Sequence, residues 1–182
     1  MDVVNSTEGT PATPGLTPGY AEWLDRVTAT YQAVSYTCRV RLGARVAAEA
    51  VALRVATGLV SRPAVFRHWG LPYSGRIAKL AEDGIADATQ GRLVPRGSWT
   101  GFRRALTLVS DEHQRTLVLT CVEGHTDDQL ADTWGCDAAT AGARRARTIA
   151  HMRELAVGHG DHGNHGNHSE DGPALPLDTR GR

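Results

Sequence analysis

Lysine is almost absent from this sequence. Of its 20 basic residues only Lys79 is a lysine and the rest are arginines, and 20 acidic residues balance them to a formal net charge of zero. Such a chain has no global attraction for nucleic acid or an anionic surface, so any contact of that kind must come from a local patch. Aromatic residues are also scarce, at 5% of 182 residues. That argues against an all-β sandwich, which draws on β-branched and aromatic side chains at alternating positions. The three cysteines, Cys38, Cys121 and Cys136, show no CxxC spacing. This speaks against a disulfide framework or a cysteine metal site and for free, buried thiols in a reducing compartment. No apolar run is long enough to cross a bilayer, and the first residues lack the basic start and apolar core of a signal peptide. A cytoplasmic protein without membrane contact is the expectation.

What is present is a chain that is 41% hydrophobic, enough for a core built from Ala, Leu and Val, and the expected class is all-α. Residues 1–19 hold three prolines and no basic residue, which predicts a disordered tail. From Tyr20 to Leu42 apolar residues recur at threes and fours, marking a long amphipathic helix that Gly43 ends. A second helix, from about Arg45 to Leu59, turns Val46, Ala50, Leu53, Ala56 and Val60 towards the first. Pro63 can start a short third helix carrying Val65, Phe66 and Trp69. A fourth runs from about Gly75 to Ala88 with Ile77, Leu80, Ala81 and Ile85 inward. Residues 62–79 interleave Arg62, Arg67, His68, Arg76 and Lys79 with Phe66, Trp69 and Tyr73 and contain no carboxylate. Such a stretch can hold a nucleic-acid backbone and stack on exposed bases; equally, its aromatics can plug a core that has few others.

After a polar, glycine-containing linker, Ser110 to Ala156 reads as three helices with two punctuated joins. Ser110 caps the first and Gly124 stops it. Thr126 and Gln129 form a capping box for a short second helix burying Leu130, Ala131 and Trp134. Gly135 permits a sharp turn, and Asp137 caps a third helix with Ala138, Ala141, Ile149, Met152 and Ala156 inward. Thr140, Arg144 and Arg147 then point outward, with Arg145 outward or on the flank. The middle helix is acidic, whereas residues 138–153 hold four arginines and no carboxylate. This is the layout of a helix-turn-helix with its positive potential on the helix that enters the major groove; the alternative is an ordinary helical hairpin with a solvated arginine face.

The stretch EHQRTLVLTCVEGHTDDQLADTWGCDAATAGARRARTIAHMREL resembles the promoter-binding region of bacterial RNA polymerase sigma factors, in particular the two-domain extracytoplasmic-function type. The likeness lies in Arg-x-Leu-x-Leu at Arg115–Leu119, Gly-x-Thr before the second helix, Leu-Ala near its end, the turn glycine, and Thr140, Arg144, Arg147 and Glu154. Where the family usually has a lysine this chain has Gly142, so Gly142→Lys is expected to raise helix stability and DNA affinity. Tyr31 to Ala86 resembles, more weakly, the family's domain that grips polymerase and melts the promoter, through RLG at Arg41–Gly43, Ala48-Glu49, the aromatic stretch and RIAKLA at Arg76–Ala81. The resemblance implies promoter reading by Thr140, Arg144, Arg145 and Arg147, and melting contacts from Arg67, Trp69, Tyr73, Arg76 and Lys79. It also implies polymerase contacts from Glu49, Leu53 and Arg54. Core RNA polymerase and promoter DNA are the implied partners, with an anti-sigma factor as a further one.

The expected organisation is therefore two small helical domains joined by a flexible linker: a tail at 1–19, a helical domain at 20–90, a linker at 91–101, a helix-turn-helix domain at 102–157 and a tail at 158–182. The linker contains LVPRGS, Leu93–Ser98, the sequence thrombin cleaves after its arginine, and two independent domains would melt separately after that cut. The last tail places His159, His162, His165 and His168 at a strict interval of three. These are metal-ligand side chains, but glycines leave them unorganised, so weak affinity is all they predict. No nucleophile–base pair or paired carboxylate stands out, and neither enzyme chemistry nor a cofactor is expected. The rival to a sigma-like initiation factor is a degenerate sigma-like module that binds a protein partner without starting transcription. It is favoured by the scarcity of carboxylates in the second helix and by Gly142.

Overall fold

The computed structural model describes residues 15–64 and 75–160. They form α1 (Pro18–Leu42), α2 (Arg45–Ser61), α3 (Gly75–Thr89), α4 (Trp99–Thr107), α5 (Asp111–Leu117), a π-helical turn (Val118–Val122), α6 (Asp127–Trp134) and α7 (Ala138–His159). There is no strand among the described residues, which are all-α.

Helix α1 starts where a proline can start one, with Pro18 in the first turn, because the nitrogen it lacks as a donor would be unsatisfied there anyway. This start lies inside the tail expected at 1–19, and the residues just before it are docked. The Thr17 N–H donates to Gln114 Oε1 at 2.8 Å, and Gln114 Nε2 donates to the carbonyls of Gly15 and Val109. One buried amide thus ties the entry of α1 to α5. Tyr20 is fully buried and donates its hydroxyl to the Leu106 carbonyl at 2.9 Å. Gly43 closes α1 with φ 64°, its N–H bonded to the Arg39 carbonyl, the left-handed ending that glycine adopts without strain.

Helix α2 is covered on several sides. It packs on α1 and α3 and, across its other side, on α7, and its buried residues include Val51, Ala52, Leu53, Val55, Ala56, Leu59 and Val60. A single apolar stripe describes it too narrowly, and one position differs from expectation: Val46, in the first turn and expected inward, is 67% exposed. Close approach rests on small residues. A Cβ on Gly84 of α3 would lie 2.8 Å from Val51, and one on Gly160, just after α7, would lie 2.8 Å from the Thr57 hydroxyl.

Helix α4 begins inside the expected linker at 91–101. Ser98 caps it by accepting from the Gly101 N–H, Trp99 stacks on Tyr31 with ring centroids 4.2 Å apart, and Phe102 and Leu106 are fully buried. Leu93 also packs on the core, and a Cβ on Gly97 would come 2.8 Å from the His159 carbonyl oxygen. The segment between α3 and α4 is therefore fitted to its surroundings. Tyr20, Val27, Leu59, Phe102, Leu106, Leu117 and Met152 belong to one buried cluster, while Leu130, Ala131 and Ala141 form a second, smaller one. The main core thus crosses the boundary expected between the two halves.

Helix α7 extends two residues past the boundary drawn for the last tail. His159 is part of it, with Nδ1 2.9 Å from the Leu155 carbonyl and its ring beside Phe102, so it packs and does not belong to a loose histidine repeat. His162, His165 and His168 lie outside the described residues, as do Val65, Phe66, Arg67, His68, Trp69 and Tyr73.

Arg96 is exposed, so thrombin is expected to cut after it, but the shared core should keep the two fragments together. They should co-elute in size-exclusion chromatography and melt in one transition, separating only in denaturant. Fragments that elute apart and melt separately in native buffer would mean that the contacts of Tyr20, Phe102 and Met152 contribute little to cohesion.

Candidate nucleic-acid interface

The α6–α7 corner is built from short-range chemistry. The Thr126 hydroxyl accepts from the Gln129 N–H while Gln129 Oε1 accepts from the Thr126 N–H, closing a capping box. Gly135 turns the chain with φ 63°, and the Cys136 N–H donates to the Ala131 carbonyl. Asp137 then caps α7 with both oxygens, accepting from the Thr140 N–H and the Thr140 hydroxyl, each at 2.8 Å. Those two bonds hold the Asp137 carboxyl below the usual carboxylate range. The positive end of α7 is thereby already occupied by a side-chain anion.

Beyond the cap, α7 buries Ala141, Thr148, Met152 and Ala156, with Ala138 and Ile149 packed at the edges. Its solvent face carries Ala139, Thr140, Ala143, Ala146, Arg147 and Ala150. The four arginines of residues 138–153 are not equivalent. Arg144 lies over the Trp134 ring, 5.4 Å from its centroid, a cation–π contact with α6. Arg145 Nη2 donates to Asp127 Oδ2 at 2.9 Å, so the residue expected outward or on the flank is turned back onto α6. Arg147 and Arg153 are exposed. The outward surface is thus a strip of alanine methyls and the Thr140 side chain, flanked by arginine.

Gly142, expected to be a weak point of a reading helix, has a packing role. A Cβ there would sit 3.1 Å from Asp127 Oδ2, the oxygen that accepts from Arg145. The glycine leaves room for the ion pair between α6 and α7, and a lysine at 142 would start from a crowded inner flank, contrary to the expectation of a simple gain in stability.

The remaining expected site residues fall elsewhere. Arg76 and Lys79 are exposed near the start of α3, which packs on α1 and α2. Glu49 pairs with Arg45 at 2.7 Å on the surface. Leu53 is 5% exposed and belongs to the core, so it is not a surface contact for polymerase. Arg54 donates to Asp87 Oδ2 at 2.6 Å with little exposure, and Arg92 holds the other oxygen. These two arginines keep the Asp87 carboxyl below its ordinary range, and Arg54 is a structural partner of α3.

Sequence reasoning missed a polar cluster on the far flank of α7. The rings of His113 and His151 stack with centroids 4.6 Å apart, and His113 Nδ1 lies 2.8 Å from the buried Thr148 hydroxyl. Nothing local announces such a pair, since α5 and α7 supply one ring each. Among the described residues no three His, Cys, Asp or Glu side chains come together as a metal site, and no helix is long and apolar enough to cross a membrane. Comparison with protein-family models, with curated proteins and with solved structures returns no match.

These contacts make pH and the residue at 142 informative. Burial, then the neighbouring His151, holds the His113 imidazole below its usual value. The unfolded chain therefore takes up this proton first, and stability present above about pH 6.5 falls as pH drops towards the lower folded value. Thermal melts between neutral and mildly acid pH should show this loss, and His113→Gln should flatten it; an equal slope in the variant would remove His113 as its source. For Gly142, alanine should recover less than half of the roughly 1 kcal/mol that a helix interior gains over glycine. The full gain should appear only when Asp127→Ala is also present, as read by urea unfolding in a double-mutant cycle. A full gain in the single variant would mean that Asp127 yields freely.

Proposed function

We propose that the chain is a sigma-like transcription initiation factor of the cytoplasm, one that binds core RNA polymerase and directs it to promoter DNA through α6 and α7 acting as a helix-turn-helix. It needs no catalytic group or cofactor of its own, because polymerase carries out the chemistry. The observation that carries this reading is the solvent face of α7. A doubly capped corner presents a helix whose exposed side is Thr140, alanine methyls and Arg147, while the carboxylate of Asp127 is tied down behind it. Small apolar groups suit contact with thymine methyls and close approach in the groove, and an exposed arginine suits phosphate or guanine. Arg144, held on Trp134, is positioned on the flank of this face, whereas Arg145 supports the corner. Arg76 and Lys79 would be the described part of the basic surface that meets melted DNA.

A second reading is favoured by α2. Leu53 lies in the core and Arg54 is engaged by Asp87, which leaves Glu49 as the surface member of the set expected to meet polymerase. A sigma-like module that binds a protein partner, an anti-sigma factor or polymerase itself, without initiating transcription is consistent with that loss.

Transcription reconstituted with core polymerase separates the two, and one variant tests the DNA surface within it. Arg147→Ala should weaken DNA binding and reduce the slope of log affinity against log salt by about one unit if the side chain meets a phosphate, with an unchanged melting curve. Unaltered DNA affinity together with reduced binding to polymerase would make α7 a protein-docking helix and favour the second reading.

A further inference from the structure

Helix α1 buries one side and leaves the other without a cover from the described elements. Tyr20, Leu24, Val27, Val34 and Cys38 are buried and fix its inward direction. At about 100° per residue, Glu22, Asp25, Ala29, Gln32, Tyr36 and Arg39 lie along the opposite side. All but the half-buried Ala29 are exposed, and Tyr36 and the adjacent Val40 are 72% and 71% exposed. The six recur at intervals of three and four, the spacing of a coiled-coil seam. From Val27 to Cys38 the helix carries no charge; Glu22, Asp25 and, on the flank of the stripe, Arg26 precede this stretch, and Arg39 and Arg41 follow it, so the exposed stripe itself has its carboxylates at one end and Arg39 at the other.

We propose that this stripe is a self-association surface on which a second copy of the chain lays its own α1 antiparallel. The charge order selects both occupant and direction. In antiparallel register Glu22 meets the partner's Arg39, Asp25 meets the partner's Tyr36, and Ala29 meets the partner's Gln32. Each pair occurs twice about the two-fold axis, as an isologous contact requires. The Tyr36 hydroxyl donates to the Asp25 carboxylate, and the small Ala29 at the centre lets the helices approach. A parallel pairing would set Glu22 on Glu22 and Arg39 on Arg39. Within one chain Glu22 already accepts from Arg26 at 3.0 Å on the surface, so the partner's Arg39 extends an existing pair. Packing also withdraws Tyr36 and Val40 from water, which supplies the apolar part of the association.

Sedimentation equilibrium of the full chain, from micromolar to near-millimolar concentration, tests this independently of the proposed function. A reversible monomer–dimer equilibrium is expected. Glu22→Arg and Arg39→Glu should each weaken it about tenfold by turning attraction into repulsion, and the two together should restore it towards the starting affinity. Gln32→Arg, at an exposed position near the axis, should weaken it at least as much with an unchanged melting curve. A monomer at every concentration overturns the proposal. A dimer that survives Gln32→Arg places the contact on another surface. Loss in both charge variants without recovery in the double variant refutes the antiparallel pairing.

Discussion

The fold depends on enclosing α2. A helix buried on several sides has no stripe of its own to present to solvent, so its neighbours must converge on it from different directions. Here α1 and α3 take one side and α7 another, and at roughly 1.5–3 kcal/mol for each fully buried large aliphatic side chain, Val51, Val55, Leu59 and Val60 tie three parts of the chain to one axis. Enclosure makes any charge in the middle of α2 costly. Arg54 is that charge, and Asp87 of α3 resolves it with a 2.6 Å bond while Arg92 completes the carboxylate's partners. A carboxylate in place of Arg54 would confront Asp87 at close range. The basic residue at 54 is thus coupled to the presence of Asp87.

The close fits around α2 extend the same constraint. Gly84, Gly97 and Gly160 each stand where a Cβ would meet a neighbour at 2.8 Å. In the first case the obstacle is the Val51 side chain, in the second the His159 carbonyl, and in the third the Thr57 hydroxyl. Two of these positions belong to segments that read as linker and tail in the sequence, where glycine suggests looseness. The composition of a connector describes its intrinsic freedom and not the surface it is laid against.

Local chemistry makes much of this fold legible. The caps at Ser110, Thr126 and Asp137, the turn glycines at 43 and 135, and the apolar periods of α1 and α7 are written in adjacent residues. Helix α4 is announced by Ser98 as cap and by the spacing of Trp99, Phe102 and Leu106, but Pro95 and the surrounding glycines mask that signal and make the stretch read as linker. The π-helical turn has no clear signal. Val118 packs against Gly19, a residue distant in sequence, and the Thr120 hydroxyl donates back to the Thr116 carbonyl of α5. Leu53 shows the other limit: periodicity tells which residues share a face but not how many neighbours that face receives. At the candidate interface the corner itself is readable, whereas the fates of Arg144 and Arg145 are settled by Trp134 and Asp127 on another helix.

The continuous core also bears on how a sigma-like reading could operate. Under that reading, any step that parted the first half of the chain from α7 would have a definite cost. Parting them exposes Tyr20, Phe102, Leu106 and Met152 and breaks the bonds of Tyr20 to Leu106 and of Thr17 to Gln114. At roughly 1.5–3 kcal/mol per large side chain, the cost exceeds about 5 kcal/mol. A single arginine contact with DNA, worth about 1–3 kcal/mol, would not meet such a cost. Use of α7 alone costs nothing of this kind, since its solvent face is open in the closed form. Under this reading, DNA contact through the solvent face of α7 is therefore energetically distinct from any step that opens the core around α2.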